Sequence, residues 1–574
     1  MSRITRIRLL LLIAIVLVFG QIVTHDFVDW DDGALIYNND NLRNPTLPSL
    51  AHHWKPSDKA NMSMYDPLVF TLWWGIAHFA TLDSPDLLGS TLNPYLFHAA
   101  SLVVHWFCAC LVLEILLQLK IKPWASAAGA LVFAIHPLQT ETVAWATAMK
   151  DLLSGLFSLL VIWRYLVALQ SEGKRRTVNC WIATLAYAAA VLSKPSTVVL
   201  PVMAAAMDRV LFRRSWRRVM NWYLGLWLVI GIGATITASV VQKIQPQILS
   251  PPWARPLVAL DAISFYLAKV FVPLGIRFDY GRSPMVLLSG GGMHYALAWT
   301  WVLPVGLAVL IWRGGQKLLA AAGLIFLIGV LPVLGLKAFS YQYYTTVADR
   351  YVYLSMLGVA ICVGWAVQRY QSRWVSIVTA VVIVVLGGMS FVYASRWVDT
   401  ETLYSYGLTG TRSLHLLTLG DYQSHLAEPC FRRARQAAAA GNFAQATEDR
   451  AEGNSHVQQT VALYESAIEL EPLQPDGYDR LARFYVLINH YSEAIETVKQ
   501  WMALEPRMLE PLREPPGQLK AMLGQIFIIN RQYPEAIAIL RQSQAEKWDP
   551  DVQKMLDRAQ KLLAMSATQP STRK

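Results

Sequence analysis

Charge is what this sequence is short of. Only 16% of its 574 residues are Asp, Glu, Lys or Arg, against 54% hydrophobic, too little polar surface for a soluble chain of this size. Cysteine is scarcer still, with five in all. Cys108, Cys110, Cys180 and Cys362 lie in apolar runs and Cys430 stands alone in a polar stretch. No C-x-x-C pair and no disulfide framework is legible. Acidic residues are outnumbered, giving a net charge of +11. That excess does not point to nucleic acid, because the basic residues sit in short loops between apolar segments, as orientation signals do. What the chain has in quantity is long apolar runs before Arg396. Each is near the ~20 residues needed to cross a bilayer. After Arg396 the composition turns polar, Ala-rich and Glu/Arg-rich.

The expected fold class is all-α: a polytopic transmembrane helical bundle followed by a soluble α-solenoid. Eleven spans are expected, at 7–24, 95–118, 124–141, 150–169, 179–193, 196–212, 220–241, 296–312, 318–336, 351–368 and 374–394. Arg3, Arg6 and Arg8 precede the first run and no A-x-A-like cleavage site follows it, so it reads as an uncleaved first helix. With the N-terminus cytoplasmic, the clusters Lys120/Lys122, Lys174/Arg175/Arg176, Arg213/Arg214/Arg217/Arg218, Arg313/Lys317 and Arg369/Arg373 all fall on the cytoplasmic side. Residues 257–276 are apolar enough to span, but counting them would invert the last two clusters. Flanked by Pro251, Pro252, Pro256 and Pro273, they read as a re-entrant or interfacial segment. The organisation that follows is a membrane domain over 1–396, with outer segments at 25–94 and 242–295. A linker over 397–414, a repeat domain over 415–565 and a disordered tail over 566–574 complete it. The expected location is a bacterial inner membrane, with the repeats in the periplasm; an endoplasmic-reticulum protein would have the same topology.

The repeats are visible as self-similarity. Ala467-Ile468-Glu469-Leu470-Glu471-Pro472 recurs as Trp501-Met502-Ala503-Leu504-Glu505-Pro506 at an offset of 34 residues, the tetratricopeptide period. Tyr491-Ser492-Glu493-Ala494-Ile495 recurs as Tyr533-Pro534-Glu535-Ala536-Ile537, with a proline-rich insertion at 507–517, and Gly441-Asn442-Phe443 begins a weaker copy. About three stacked helical hairpins are expected, presenting a concave face to a protein or peptide partner. The plainer reading is that they pack against the membrane domain.

The same topology gathers ionisable groups of both signs on the outer face, where they are expensive and often functional. They are Asp29, Asp31 and Asp32 in the first loop, His136, Glu141, Lys150 and Asp151, Lys194, Arg277, Asp279 and Arg282, and Asp349 with Arg350. A carboxylate here can take the proton from an acceptor hydroxyl as that oxygen attacks a sugar C1. An in-line displacement with one base inverts the sugar carbon.

The strings Trp30-Asp31-Asp32, His136-Pro137-Leu138-Gln139-Thr140-Glu141, Lys150-Asp151-Leu152-Leu153-Ser154, Leu192-Ser193-Lys194-Pro195 and Ala348-Asp349-Arg350-Tyr351 occur in that order. Asn93-Pro94-Tyr95-Leu96-Phe97-His98 and Val272-Pro273-Leu274-Gly275-Ile276-Arg277 accompany them. The set resembles the transmembrane and tetratricopeptide repeat-containing O-mannosyltransferases and their bacterial relatives. That resemblance implies a GT-C glycosyltransferase, which takes a sugar from a polyprenyl-phosphate donor among the membrane lipids and passes it to a protein acceptor. Asp31 or Asp32 would then be the catalytic base. Pro195, where an acidic residue often follows the lysine, and Met149-Lys150, in place of an Arg-containing turn, depart from the pattern.

Arg350, Lys194 and Lys150 could neutralise the leaving phosphate. The plainer readings pair Arg350 with Asp349 or a distant carboxylate, and Lys150 with Asp151. His136 is read as a sugar or phosphate ligand or as a hydrogen-bonded helix end. Glu141, Asp279 and Asp349 are candidate substrate contacts, Asp279 alternatively capping a turn. Trp54, Trp73 and Trp74 read as an interfacial belt rather than a sugar platform. No cofactor is expected. The alternative is Mg²⁺ or Mn²⁺ held by Asp31 and Asp32. Competing functions are transfer to a lipid or surface polysaccharide, and a non-catalytic scaffold.

Overall fold

The computed structural model describes residues 2–55, 65–86, 89–241, 250–288, 301, 304–306, 308–309, 316–407, 413–508 and 513–568. Most of the expected span 296–312 lies outside them. The chain divides into two compact units, Met1–Tyr406 and Gly407–Lys574. Among the described residues the secondary structure is helical apart from a single bridge between Thr81 and Leu92.

The first unit contains thirteen helices of eight or more described residues. They are α1 (Arg3–Phe19), α2 (Pro67–Ala77), α3 (Pro94–Gln118), α4 (Pro123–Ile135), α5 (Met149–Leu169), α6 (Gly173–Ser193) and α7 (Leu200–Phe212). Then follow α8 (Trp222–Val241), α9 (Arg255–Phe271), α10 (Lys317–Val330), α11 (Met356–Arg369), α12 (Arg373–Ala394) and α13 (Thr400–Gly407). Among the described residues, six helical stretches are long and apolar enough to cross a membrane: Arg3–Thr24, Pro94–Gln118, Ala146–Leu169, Pro195–Phe212, Trp222–Val240 and Arg373–Trp397. Their starts follow ordinary capping chemistry. Ser2 accepts from the Thr5 N–H, Asn93 from Tyr95 and Ser372 from Val375, and proline opens α3 and α4 where no N–H is needed. Small residues let the helices close up. The Cα of Gly129 on α4 abuts the Ala360 carbonyl of α11, leaving no room for a side chain.

Several expectations change. Residues 124–141 are not one helix: α4 stops at Ile135, because His136 is extended ahead of Pro137. The expected span 351–368 begins instead at Met356, after a 3-10 turn over Asp349–Val352. Residues 397–406 are not linker. Asp29 N–H donates to Thr400 Oγ1 (2.9 Å) and Asp26 N–H to the Val398 carbonyl (2.8 Å), which binds them to the first unit. Trp73 is no interfacial anchor. It is buried against Phe70, on which His53 stacks at 4.4 Å.

The second unit is a run of helices: α14 (Ser413–Ala439), α15 (Phe443–Leu470), α16 (Pro475–Leu487), α17 (Tyr491–Leu504), α18 (Gln518–Ile529), α19 (Tyr533–Glu546) and α20 (Pro550–Thr568). Three hairpins, α14–α15, α16–α17 and α18–α19, turn on a left-handed residue two positions before the second helix: Gly441, Asn489 and Arg531. Alanines 482, 494, 521, 536 and 559 line the core between them, which lets the helices approach closely. α20 runs to Thr568, three residues into the expected tail, and 569–574 lie outside the described residues.

Candidate active site

At one end of the first unit the helices break, and the ionisable residues sit on the breaks. Irregular backbone at membrane depth is tolerated only where protein buries it or it lines a cavity. After His136-Pro137 a short helix, Thr140–Ala144, presents Glu141. An extended Trp145 and a 3-10 turn then lead into the first turn of α5, with Lys150 and Asp151. Lys194 is extended because Pro195 follows it. Asp349 and Arg350 form their own 3-10 turn.

Three oppositely charged pairs result. Glu141 Oε1 accepts from Arg350 Nη1, and Glu141 Oε2 accepts from the Arg350 backbone N–H at 3.0 Å; both side chains are buried. The guanidinium lies 5.2 Å from the Trp145 ring, 4.5 Å from Tyr341 and 5.0 Å from Tyr351, an aromatic cage that favours a desolvated cation. Lys194 Nζ donates to Asp151 and lies over the Tyr351 ring. Lys150 Nζ is 4.0 Å from Asp31 Oδ2, the loosest of the three contacts. Asp151, Lys194 and Arg350 border a cavity of about 40 Å³. That has room for a water, at roughly 30 Å³ each, but not for a sugar.

The two acidic residues of the first loop have different environments. Asp32 is fully buried. Its Oδ2 accepts from the Val28 N–H (2.9 Å), and its Oδ1 from the Thr147 N–H (2.9 Å) and Thr147 Oγ1 (2.5 Å). Burial nevertheless raises its pKa to about 7. Asp31 keeps 29% of its side chain exposed beside Lys150. Trp30 places this loop, packing at 5.3 Å from Phe278, 6.3 Å from Tyr341 and 6.1 Å from Tyr404.

The structure thus gathers Asp31, Asp32, Glu141, Lys150, Lys194, Asp349 and Arg350, but with partners other than the nearest in sequence. Arg350 pairs with Glu141 and not with Asp349. Lys150 faces Asp31, while its neighbour Asp151 takes Lys194. Asp349 is buried and accepts from the Tyr280 hydroxyl (2.8 Å). Burial and the Glu141 carboxylate push its pKa well up. His136 is a backbone tie: Nδ1 accepts from the Leu138 N–H (3.2 Å) and Nε2 lies 3.1 Å from the Val270 carbonyl, so neither ring nitrogen is left for a sugar. Asp279 accepts from the Gly281 N–H (2.8 Å), closing the turn before Arg282. Arg282 itself is forked onto Asp261 (2.5 and 3.2 Å), while Arg277 is exposed. Hydrogen bonds from Val28 and Thr147 engage both buried Asp32 oxygens, so a cation shared by Asp31 and Asp32 would have to compete with them.

Sequence reasoning passed over two groups. Asp66 is buried, raised to about 6 by desolvation and coupled electrostatically to Lys150 and Lys194. Its signal was an acid directly before the Pro67 that opens an apolar helix. Tyr341, which lies against the Arg350 guanidinium, carried no signal beyond being aromatic.

Fold and site together define a class: an all-α polytopic membrane protein whose helix breaks collect ion pairs around one accessible carboxylate, joined to a second helical unit. No protein-family model matches the chain. It is similar to protein O-mannosyl-transferase TMTC4 of Mus musculus, 24% identical over 458 residues, which cover 68% of this chain and 60% of the mouse protein. Protein O-mannosyl-transferase F38B6.6 of Caenorhabditis elegans is 23% identical over 401 residues, 67% of this chain and 55% of the relative. Protein O-mannosyl-transferase Tmtc2 of Drosophila melanogaster is 30% identical over a shorter 213 residues, 35% and 23% of the two chains. The chain is a relative of the TMTC protein O-mannosyl-transferases, as the ordered strings around Trp30-Asp31-Asp32 led one to expect. It spans 60% or less of the length of these three relatives.

Proposed function

We propose that this protein is a membrane glycosyltransferase that moves a hexose, mannose or similar, from a polyprenyl-phosphate carrier to a hydroxyl of a protein acceptor, with inversion and without a metal. The observation that carries the assignment of roles is the contrast between the two acidic residues: Asp31 is accessible and lightly engaged, Asp32 buried and hydrogen-bonded on both oxygens. Asp31 is the base and Asp32 holds the loop. As the acceptor oxygen bonds to C1 of the sugar, its proton passes to Asp31. The C1–O bond to phosphate breaks and its electron pair leaves on the polyprenyl phosphate. Lys150, the cation least committed to a partner, meets that charge. Arg350 and Lys194 supply a positive background that Glu141 and Asp151 largely balance. The relatives are named protein O-mannosyl-transferases, which supports a protein acceptor and mannose, and the helical hairpins of the second unit, read as tetratricopeptide-type repeats, would engage that acceptor. The carrier is argued from the membrane setting and the cations. The working orientation puts this rim and the repeats outside the cytoplasm.

The test is transfer by purified full-length protein from polyprenyl-phosphate mannose to candidate acceptor polypeptides. Asp31→Asn is expected to lower kcat by about 10²–10⁴-fold, the usual range for a lost general base, with unfolding temperature unchanged. Wild-type turnover by Asp31→Asn would remove the mechanism. An inactive wild type with every donor would remove the function.

A further inference from the structure

The opposite end of the first unit holds a second feature. Helices α1, α4 and α12 run in the same direction. Near their C-termini they are locked together: Ser390 Oγ donates to the Ile135 carbonyl (2.7 Å), Gln21 Nε2 to the Phe391 carbonyl (2.7 Å), and Gly387 lies against Val18 and Ile135. Towards their N-termini they part, leaving an open cavity of about 540 Å³. That is within the ~300–1,000 Å³ typical of sites for small organic ligands. Its walls are apolar, with Leu10, Ala128, Leu131 and Ala380 among them, and Arg3 and Arg6 line it at the start of α1.

Two facts narrow the occupant. Arg3 and Arg6 make no ion pair among the described residues, whereas Arg8, on another face of the same helix, is paired with Glu114 at 2.5 Å. The first turns of α1, α4 and α12 also bring three helix N-termini to this end, and their dipoles favour negative charge. The apolar lining comes from helices long and apolar enough, in α1 and α12, to cross a membrane, and small side chains at 127, 128 and 380 keep the space open. An occupant must therefore be anionic at one end and aliphatic along the rest.

We propose that this groove binds one anionic glycerophospholipid from the leaflet at the Arg3 end, its phosphate between Arg3 and Arg6 and an acyl chain between α4 and α12. In the orientation read from the basic loops this is the cytoplasmic leaflet. The site lies at the far end of these three helices from Asp31 and stands independently of the proposed transfer reaction.

Full-length protein in detergent, titrated with phosphatidylglycerol or with phosphatidylethanolamine of the same chains and read by native mass spectrometry, tests this. Phosphatidylglycerol is expected to be retained in preference. One basic residue near an anionic lipid is worth about fivefold in affinity, so Arg3→Gln with Arg6→Gln should weaken binding about 25-fold. Arg3→Lys with Arg6→Lys should retain most of it. Ala380→Phe, on an exposed stretch of α12, should abolish retention with both charges intact. Equal retention of the two lipids would overturn the proposal, as would phosphatidylglycerol binding unmoved by both the glutamine pair and Ala380→Phe. Efficient disulfide linkage of two copies through Ala380→Cys in lipid would also overturn it, by showing that another protein chain covers the groove.

Discussion

Asp32→Asn separates the structural carboxylate from the one proposed as the base. An asparagine at position 32 can keep an oxygen toward Thr147 only by turning its amide NH2 toward the Val28 N–H, so a buried donor loses its acceptor. An unsatisfied buried group of this kind costs about 1–3 kcal/mol. The aspartate also titrates, and asparagine does not. Burial raises the Asp32 pKa from 3.8 to about 7. A carboxyl whose folded pKa is raised contributes its full stability below the unfolded value and loses it as pH climbs through the folded one. Over the whole rise wild type gives up roughly 4 kcal/mol, of which roughly 3 kcal/mol falls between pH 5 and pH 8. The stability difference between wild type and Asp32→Asn should therefore be largest near pH 5 and shrink by roughly 3 kcal/mol by pH 8. Thermal or denaturant unfolding of both proteins in one detergent, followed by near-UV circular dichroism from pH 5 to 8, measures it. A difference that stays flat with pH would mean that Asp32 is ionised in the folded protein throughout, and the argument from burial would fail. A variant as stable as wild type at pH 5 would show that the three hydrogen bonds to Asp32 do not hold the loop.

Further expectations follow from contacts away from that carboxylate. Glu141→Gln leaves the buried Arg350 without its counter-charge and should destabilise the first unit by about 3–5 kcal/mol, towards the lower end because Trp145, Tyr341 and Tyr351 still surround the guanidinium. The pairing of Glu141 with Arg350 predicts that Glu141→Gln combined with Arg350→Met recovers part of the loss in a double-mutant cycle, and strict additivity would contradict it. In the second unit a Cβ on Gly420 of α14 would meet the Tyr464 ring of α15 at 2.5 Å. Gly420→Ala should therefore cost about 1–3 kcal/mol by overpacking, readable as a lower helix-melting temperature, and an unchanged melt would show that the α14–α15 hairpin yields freely there.

Which ionisable residues stand at the helix breaks was legible in the chain, and how they pair was not. Helix breaks announce themselves locally. His136-Pro137 and Lys194-Pro195 force extended backbone ahead of each proline, and a charged residue at such a break stands out against an apolar background. An averaged hydropathy run is blind to the same signal, which is why 124–141 read as one span when α4 ends at Ile135. Partnership is a different matter. Glu141 and Arg350 lie 209 positions apart, and no periodicity links them. Of the two plainer readings of Arg350, a pair with Asp349 or with a distant carboxylate, the fold takes the second, and Asp349 turns to Tyr280. The Asp31/Asp32 ambiguity has the same origin, because adjacent side chains on one turn face opposite ways and only the fold decides which faces Thr147. Asp66 went unnoticed because an acid before a helix-opening proline is ordinarily a solvated cap, and its burial here depends on distant chain.

The pairing pattern has a consequence for how the proposed reaction would start. Arg350 and Lys194 are each closed onto a carboxylate, and Asp32, Asp66 and Asp349 are all shifted towards their neutral forms by burial. The rim is therefore close to electrically balanced before any substrate arrives, and an incoming phosphate must compete with a protein carboxylate for a cation. The weakest existing contact gives way first, and that is Lys150 with Asp31, at 4.0 Å and partly open to solvent. A donor phosphate that draws Lys150 to itself takes away the one salt-bridge partner that Asp31 has among the described residues. Binding the donor would thus leave the proposed base unpaired and open to the acceptor hydroxyl, which makes ordered addition, donor before acceptor, the kinetic scheme that this arrangement favours.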